Sequence, residues 1–405
     1  MTVATETEDS ENSRRAGNVG LLAQVRRFVD DEVLPFAKET AGNPFPQALV
    51  DRMAELGLFG TIIPTRYGGL GLSMVEHVLI MEEIARGWVS LAGVLNPHIL
   101  SCHMILLSGT EQQRELWLSR LAKGALRASF SLTEPDTGSD AQAIVATGTR
   151  HEDGSWRLRG RKRWITNGLG SGLVLVLVKT DVDVRPAHKG ITCFIVEKKP
   201  WAMSNDGDFA GVVIEEIIDK MGDRGVDTTD LLLDGYRCQA DAILGGETGG
   251  LGGGFKQVMV SIEAGRIGAS ALCIGVGQRC LEVAVAYAKR RSTFGRPIAE
   301  HQAVQFAIAD MATGLAAARL LVRDAAQIKD TGQRADLQAG MAKLFSTDVA
   351  VAAAGACFRI HGANGYSKSC EAERLYRDAL SLVSAEGPAE IQRMIIGRTV
   401  TQAMA

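Results

Sequence analysis

Apolar residues recur three and four positions apart through residues 21–123, as in LLAQVRRFVDDEVLPFAKE and MVEHVLIMEEIARG, with acids and bases on the remaining faces. That period predicts amphipathic helices packed on a core. The breaks fall at Gly and Pro clusters such as IPTRYGGLGLS. Across residues 128–244 the pattern changes to short alternating or β-branched runs, SWRLRGRKRWITNG, GLVLVLVKTD, GITCFIVEK and GVVIEEII, separated by DG, NG and NDGD. Such runs and turns predict strands. The glycine-rich GGETGGLGGG of residues 245–254 reads as a hinge into a second helical zone. There Val304, Ile308, Met311, Leu315, Ala318 and Val322 alternate four and three apart, the spacing of a long bundle helix. Before it, Gly265, Gly268, Ala269, Ala271, Gly275 and Gly277 make one helix thin enough for close approach by a neighbour or a ligand. The predicted organisation is α+β: an N-terminal all-α domain over residues 1–127, a middle β domain over 128–244 and a C-terminal helical bundle domain over 245–405.

With 405 residues, 46% of them hydrophobic, and 44 Lys plus Arg against 47 Asp plus Glu, the chain has the balance of a soluble globular protein, not of a disordered tail or linker. A formal net charge of −3 gives no general attraction to nucleic acid or to an anionic membrane. The opening MTVATETEDSENSRRAG lacks the basic start and apolar stretch of a signal peptide, and no apolar run approaches the ~18 residues of a bilayer span. The expected location is cytoplasmic. Seven cysteines, at 102, 193, 238, 273, 280, 357 and 370, include no CxxC pair and are expected to be reduced and mostly buried. The histidines are scattered, so no metal site is expected, and GxGxxG, the P-loop, HExxH and GxSxG are all absent.

Four segments carry candidate chemistry. LTEPDTGSDA, residues 132–141, gathers the hydroxyls of Thr133, Thr137 and Ser139, the carboxylates of Glu134, Asp136 and Asp140 and the permissive Gly138 in one tight loop after a strand. Amides and hydroxyls so clustered can bind the carbonyls and phosphates of a flavin or nucleotide, and equally can cap a surface turn. KRWITNG, residues 162–168, sets Trp164 two residues from Thr166, an aromatic wall beside a hydroxyl donor that suits either a planar cofactor's edge or a core strand. RRSTFGRPIAEHQ, residues 290–302, places guanidinium groups with Thr293 and Phe294 at a break between helices, where arginine can grip a pyrophosphate. In SAEGPAEIQR, residues 384–393, Glu386 precedes Gly387 and Pro388 in a loop between helices. Lifted out of water, such a carboxylate has a raised pKa and can act as a general base; solvated, it is an ordinary loop glutamate.

Taken in order, these segments resemble the acyl-CoA dehydrogenase family from about residue 20 to the end of the chain. LTEPDTGSDA is similar to the family's first signature and HGANGYSKSCEAERLYRD, residues 361–378, to its second. WITNG resembles the flavin-edge tryptophan and threonine, MGDRGVDTTD, residues 221–230, the MGxRxSxT stretch, RSTFGRPIAEHQA the RxTFGxxxxxHQ stretch, and AEGPAEIQR the segment with the catalytic glutamate. The resemblance implies an N-terminal all-α domain, a middle β-barrel or sheet domain and a C-terminal four-helix bundle. It implies FAD between the β domain and the bundle, with Phe130, Leu132, Thr133, Gly138, Ser139, Trp164 and Thr166 on its flavin side. Arg291, Phe294, Gln302, Arg359 and Gly362 would reach the ADP portion across an interface of a homotetramer, a dimer of dimers, and Glu390 would also bind the cofactor. Ser139, Glu263, Arg266 and Gly387 would contact the substrate.

The reaction implied is α,β-dehydrogenation of an acyl thioester. Glu386 would take the α-proton while the β-hydride leaves for flavin N5, with the amide of Glu386 and a ribitol hydroxyl holding the thioester carbonyl. An electron-transfer flavoprotein would accept the electrons. Some members carry the base immediately before the position of Arg266; here Gly265 stands there, so Glu386 is the family-style base. The chain departs from the family at Arg359, Ala363 and His361 in the QxxGGxG stretch, at Pro388 in place of threonine, and at Ala385, which frees space beside the base. Three alternatives stay open at this point: a same-fold enzyme for carrier-protein-bound acyl thioesters, a flavin monooxygenase, and a flavin-free scaffold or interaction protein.

Overall fold

The computed structural model describes residues 20–39 and 45–403. The polar segment read above as lacking a signal peptide lies outside the described residues. Residues 20–28 form α1, which continues through a π-helical stretch, Val29–Val33, into α2, Leu34–Glu39. Then come α3 (Gln47–Glu55), α4 (Met74–Gly87), α5 (Val89–Ser108) and α6 (Glu111–Ala122). Reciprocal capping fixes two starts: Ser73 with Glu76 opens α4, and Thr110 with Gln113 opens α6.

The middle of the chain forms a seven-stranded sheet in the order β1-β4-β2-β3-β7-β6, with β5 paired to β4 off this path. The strands are β1 (Ala128–Ser131), β2 (Thr147–Arg150), β3 (Trp156–Thr166), β4 (Leu173–Lys179), β5 (Ile191–Glu197), β6 (Val212–Ile217) and β7 (Thr228–Cys238). β1 runs parallel to β4, whereas β3 and β7, β4 and β5, and β6 and β7 are antiparallel. β4 is apolar at nearly every position because both of its faces are covered. Leu173, Leu175 and Leu177 pack toward α5 and α6, while Val174, Val176 and Val178 face a second core with Trp156, Phe194 and Leu233.

After a short α7 (Gly246–Gly250) comes the 37-residue α8 (Gly254–Arg290), then the hairpin of β8 (Ser292–Thr293) and β9 (Arg296–Pro297). The chain closes with α9 (Gln302–Asp330), α10 (Asp336–His361), α11 (Glu371–Ser381) and α12 (Ala389–Ala403). α8, α9 and α10 pack on one another, α11 on α8 and α10, and α12 on α10. α4 also lies along α8, and one core runs from Val29 and Ile84 through Ile267 and Leu315 to Ala353, so the two helical zones share it.

The glycine-rich stretch expected to be a hinge is a close-packed joint. A Cβ at Gly250 would stand 2.1 Å from Leu244 O, at Gly252 2.4 Å from Lys189 O, and at Gly254 2.5 Å from Cys193 N, so these positions need glycine for close approach to neighbouring backbone, and Gly245, Gly246 and Gly252 also take positive φ. The thin helix behaves as its pattern predicts: a Cβ on Gly275 would meet Glu82 O at 2.3 Å, and one on Gly277 would meet Leu315 at 2.7 Å. MGDRGVDTTD turns out to join all three regions. Gly222 lies against the backbone of α11, Gly225 lies against the Trp88 ring and donates its N–H to Ser90 Oγ at 3.0 Å, and Asp223 N–H donates to Asp378 Oδ1 at 2.8 Å.

One sequence expectation needs correction. Among the described residues four helical stretches, Val89–Ser108, Gly254–Arg290, Gln302–Asp330 and Asp336–Tyr366, are long and apolar enough by composition to cross a membrane. Polar residues interrupt every short run, but small apolar residues dominate over a longer window. The apolar windows of the first two are mostly buried inside the protein, whereas only 17% of that of α9 is buried. All seven cysteines are free, and all but Cys370 are buried.

Gly222→Ala would place a methyl 2.2 Å from the Arg377 carbonyl oxygen. The joint between β domain and bundle would have to shift, and the expected loss of stability is about 1–3 kcal/mol, read as a lower urea midpoint; an unchanged midpoint would show that this contact is not tight.

Candidate active site

Between α11 and α12 the chain makes a turn with two consecutive left-handed residues, Glu386 at φ 55° and Gly387 at φ 93°. Glycine adopts this conformation freely; a glutamate in it is strained by about 1–3 kcal/mol and needs its surroundings to hold it. Three polar groups do so. Lys343 of α10, fully buried, donates to Leu382 O at 2.9 Å. Gln392 Nε2 of α12 donates to the carbonyls of Glu386 at 3.3 Å and Gly387 at 3.1 Å, and Arg266 Nε of α8 donates to Glu386 O at 3.4 Å. Pro388 stands just before α12, where a backbone N–H would have no helical partner, so its ring removes nothing the helix needs.

The carboxylate of Glu386 is turned inward, onto α5 and α8. Asn96 Nδ2 donates to Oε1 at 3.1 Å. Oε2 lies only 3.1 Å from where a Cβ on Gly265 would be, so the acid rests on bare helix backbone. Burial pushes its pKa above the ordinary glutamate range, while the charges of Arg266 and Lys343 pull it back. A carboxylate placed this way is a proton acceptor poised nearer neutrality than a solvated one.

A second cluster forms where the loop after β1 meets β3. Arg163 N–H donates to Thr133 O at 2.9 Å and zips the two together. The ladder between β3 and β7 shifts register between Lys162 and Ile165, and Trp164 leaves it at φ 61° with 54% of its surface exposed. Phe130, Leu132, Thr133 and Thr166 are half-buried, and Gly138 and Ser139 are exposed. Beneath them Lys162 Nζ, fully buried, donates to Leu132 O at 3.1 Å and to Glu134 Oε1 at 2.7 Å. Burial pushes the Lys162 ammonium down to about 8 against the pull of Glu134. Glu134 also accepts from the N–H groups of Val145 and Ala146, at 2.6 and 3.0 Å. An indole held out in a strained conformation beside two threonine hydroxyls fits a flat ring system with polar edges.

Arg291, Phe294, Gln302, Arg359, Gly362 and Glu390 are all exposed in the single chain. Phe294 is 97% exposed at φ 52°, at the tip of the β8–β9 hairpin. Nearby, Thr293 Oγ1 and His301 Nε2 lie 3.0 Å apart.

Three family models match in succession: the acyl-CoA dehydrogenase N-terminal domain at residues 19–125, the middle domain at 129–236 and the C-terminal domain at 252–401. The chain is 40% identical to the 3-(aryl)acrylate reductase of Clostridium sporogenes, over 92% of this chain and 95% of that protein. It is 36% identical to the caffeyl-CoA reductase-Etf complex subunit CarC of Acetobacterium woodii, over 90% of this chain and 92% of that one. Its fold superposes on butyryl-CoA dehydrogenase from Megasphaera elsdenii with a TM-score of 0.88 at 32% identity, covering 95% and 98% of the two chains. The chain belongs to the acyl-CoA dehydrogenase family.

Within this acyl-CoA dehydrogenase, Glu386, Gly387 and Arg266 come together as one constellation, and the strip from Phe130 to Thr166 forms another. Glu263 needs correction as a substrate contact. Its carboxylate is fully buried and bound by Lys329 Nζ at 3.0 Å, by Ala335 N–H at 3.0 Å and by Arg334 Nε. Burial raises its pKa, but these donors win and hold it below the usual range, so it ties α8 to the α9–α10 turn. His361 is likewise a packed residue. Its ring lies 4.1 Å from that of Tyr287, and its Nδ1 is 2.8 Å from Cys357 O.

Sequence reasoning missed Asn96, Lys343 and Gln392 as parts of this acyl-CoA dehydrogenase site. The available signal for the first was Asn-Pro in the middle of VLNPHILSC, an otherwise apolar helix where a buried amide needs a partner.

Lys162→Met would leave Glu134 buried with only backbone donors. The expected loss is about 3–5 kcal/mol in urea unfolding, and adding Glu134→Gln should recover part of it because no uncompensated charge then remains.

Proposed function

We propose that this chain carries out FAD-dependent α,β-dehydrogenation of an acyl-CoA to the trans-2-enoyl-CoA, with Glu386 as the base. The observation that carries this reading is the strained, half-buried Glu386, turned inward and resting on bare Gly265. FAD, when bound, supplies the two-electron acceptor for the β-hydride. Phe130, Leu132, Thr133, Trp164 and Thr166 would hold its ring system, with Gly138 and Ser139 beside it. Glu386 takes the α-proton onto a carboxylate oxygen. Its peptide N–H is the group on this chain that would bind the thioester carbonyl as negative charge develops there. Arg266 and Gln392 donate to Glu386 O, in the next peptide unit, and so hold the turn that presents this N–H, and Gly387 supplies the turn. Closing the site around base and substrate excludes water and strengthens each of these interactions.

The exposed face of α9, with Phe306 59% and Leu320 68% exposed, supports assembly with further copies of the chain as a homotetramer. Arg291, Phe294, Gln302, Arg359, Gly362 and Glu390 would then meet the ADP portion of FAD at an interface between copies. Reaction with an electron-transfer flavoprotein is supported by the Etf-complex relative. A cytoplasmic location fits the reduced cysteines and the charge balance.

Two relatives described as reductases favour a second reading, in which the same step runs in reverse. Glu386 would then return a proton to the α-carbon of an unsaturated acyl-CoA. Anaerobic titration with saturated and α,β-unsaturated acyl-CoAs distinguishes the two directions.

Glu386→Gln keeps the shape of the base and removes its basicity. We expect flavin absorbance to be retained and acyl-CoA-dependent bleaching to slow by about 10²–10⁴-fold; wild-type bleaching would end this assignment. Arg291→Ala should release FAD on dialysis, measured by the absorbance ratio of flavin to protein, and unchanged occupancy would count against the interface site.

A further inference from the structure

The geometry points to Asn96 as a positioning residue for proton abstraction: its side-chain amide holds Glu386 Oε1 and leaves Oε2, over Gly265, to receive the proton. This rests on the reading of Glu386 as the base.

The amide is built into its place. Asn96 lies on α5, is 8% exposed, and donates to Oε1 at 3.1 Å. Its other end sits over Gly268, where a Cβ would stand only 2.4 Å from Asn96 Oδ1. Gly265 and Gly268, one turn apart on α8, therefore accept the carboxylate and the amide side by side. A Cβ at 268 would have to displace the amide, and one at 265 would make a tight contact with the carboxylate, at 3.1 Å from Oε2. Pro97 follows Asn96 inside α5. A proline there has no N–H to give the carbonyl one turn earlier, that of Gly93.

A hydrogen bond to one oxygen restrains the carboxylate's rotation and biases the direction of the free lone pair on the other. The donated N–H also favours the ionised form, because a hydrogen bond to the charged state stabilises it. The charged groups facing Glu386 are Arg266 from α8 and Lys343 from α10. Both also spend donors on backbone oxygens of the loop, Arg266 on Glu386 O and Lys343 on Leu382 O. From α12 the polar contact is the neutral Gln392, also to backbone. Asn96 thus supplies the side-chain hydrogen bond to the carboxylate itself.

The test uses the flavin-loaded protein in anaerobic stopped flow, with an acyl-CoA that bleaches the wild type chosen from a short, branched, aromatic and long panel. Asn96→Asp is isosteric and replaces the donor with a second acid; Asn96→Leu removes it. Gly268→Ala keeps the asparagine but displaces it, and guards against misfolding of the first two. In each, the rising limb of flavin reduction against pH should move up by about 1–2 units. The plateau rate should fall about 10–100-fold, with substrate affinity changed far less. An unshifted limb in the folded variants, or a change confined to substrate affinity, overturns the role of Asn96 while leaving Glu386 as base. If no acyl-CoA bleaches the wild type, or if Glu386→Gln behaves as wild type, the parent reading fails and this inference falls with it.

Discussion

The closeness with which other elements can approach α8 governs both the core and the candidate site. Glycine in a helix interior costs about 1 kcal/mol against alanine, and this helix carries Gly265, Gly268, Gly275 and Gly277. In return, α4 backbone reaches it at Gly275, α9 at Gly277, α5 at Gly268 and the Glu386 loop at Gly265. A Cβ at Gly268 or Gly275 would stand 2.4 or 2.3 Å from a neighbouring atom and force the packing apart, and one at Gly277 or Gly265 would make a tight contact at 2.7 or 3.1 Å; close-packed interiors resist such shifts. The first two contacts build the core that joins the two helical zones; the other two build the site.

Charge at that site is managed by giving two glutamates opposite environments. Glu263 is surrounded by donors and held ionised, which makes it a strut. Glu386 is half-buried and turned onto helix backbone while the nearest cations are engaged with the peptide backbone, which leaves its pKa raised by burial. Environments that push two acids apart in this way separate a structural role from a chemical one. The same economy appears under the Trp164 strip, where Lys162 and Glu134 form a buried pair whose remaining bonds go to backbone. That pair locks the loop of Thr133 against β3.

The zones of helix and strand were legible along the chain because burial imposes a period on each element. β4 shows this in its unbroken apolar run, and α9 in Met311, Leu315, Ala318 and Val322, all buried. Glu386 and Trp164 could be singled out because their neighbours carry recognisable local chemistry. The misreadings share a cause. A run of glycines looks the same whether it bends or packs, and Gly250, Gly252 and Gly254 pack. Glu263 looked available because its partners, Lys329, Arg334 and Ala335, lie about seventy positions away.

The sequence by itself determined the order of elements, the thin helix and the presence of a glutamate in a Gly-Pro turn, all of which follow from local period and local conformational preference. Tertiary structure alone decided which acid is spent and which is poised. It also decided that an asparagine 290 residues away bonds the base, and that Gly250, Gly252 and Gly254 pack against neighbouring backbone. Those outcomes depend on contacts between distant elements, and neither period nor propensity encodes which side chain a neighbouring helix will present.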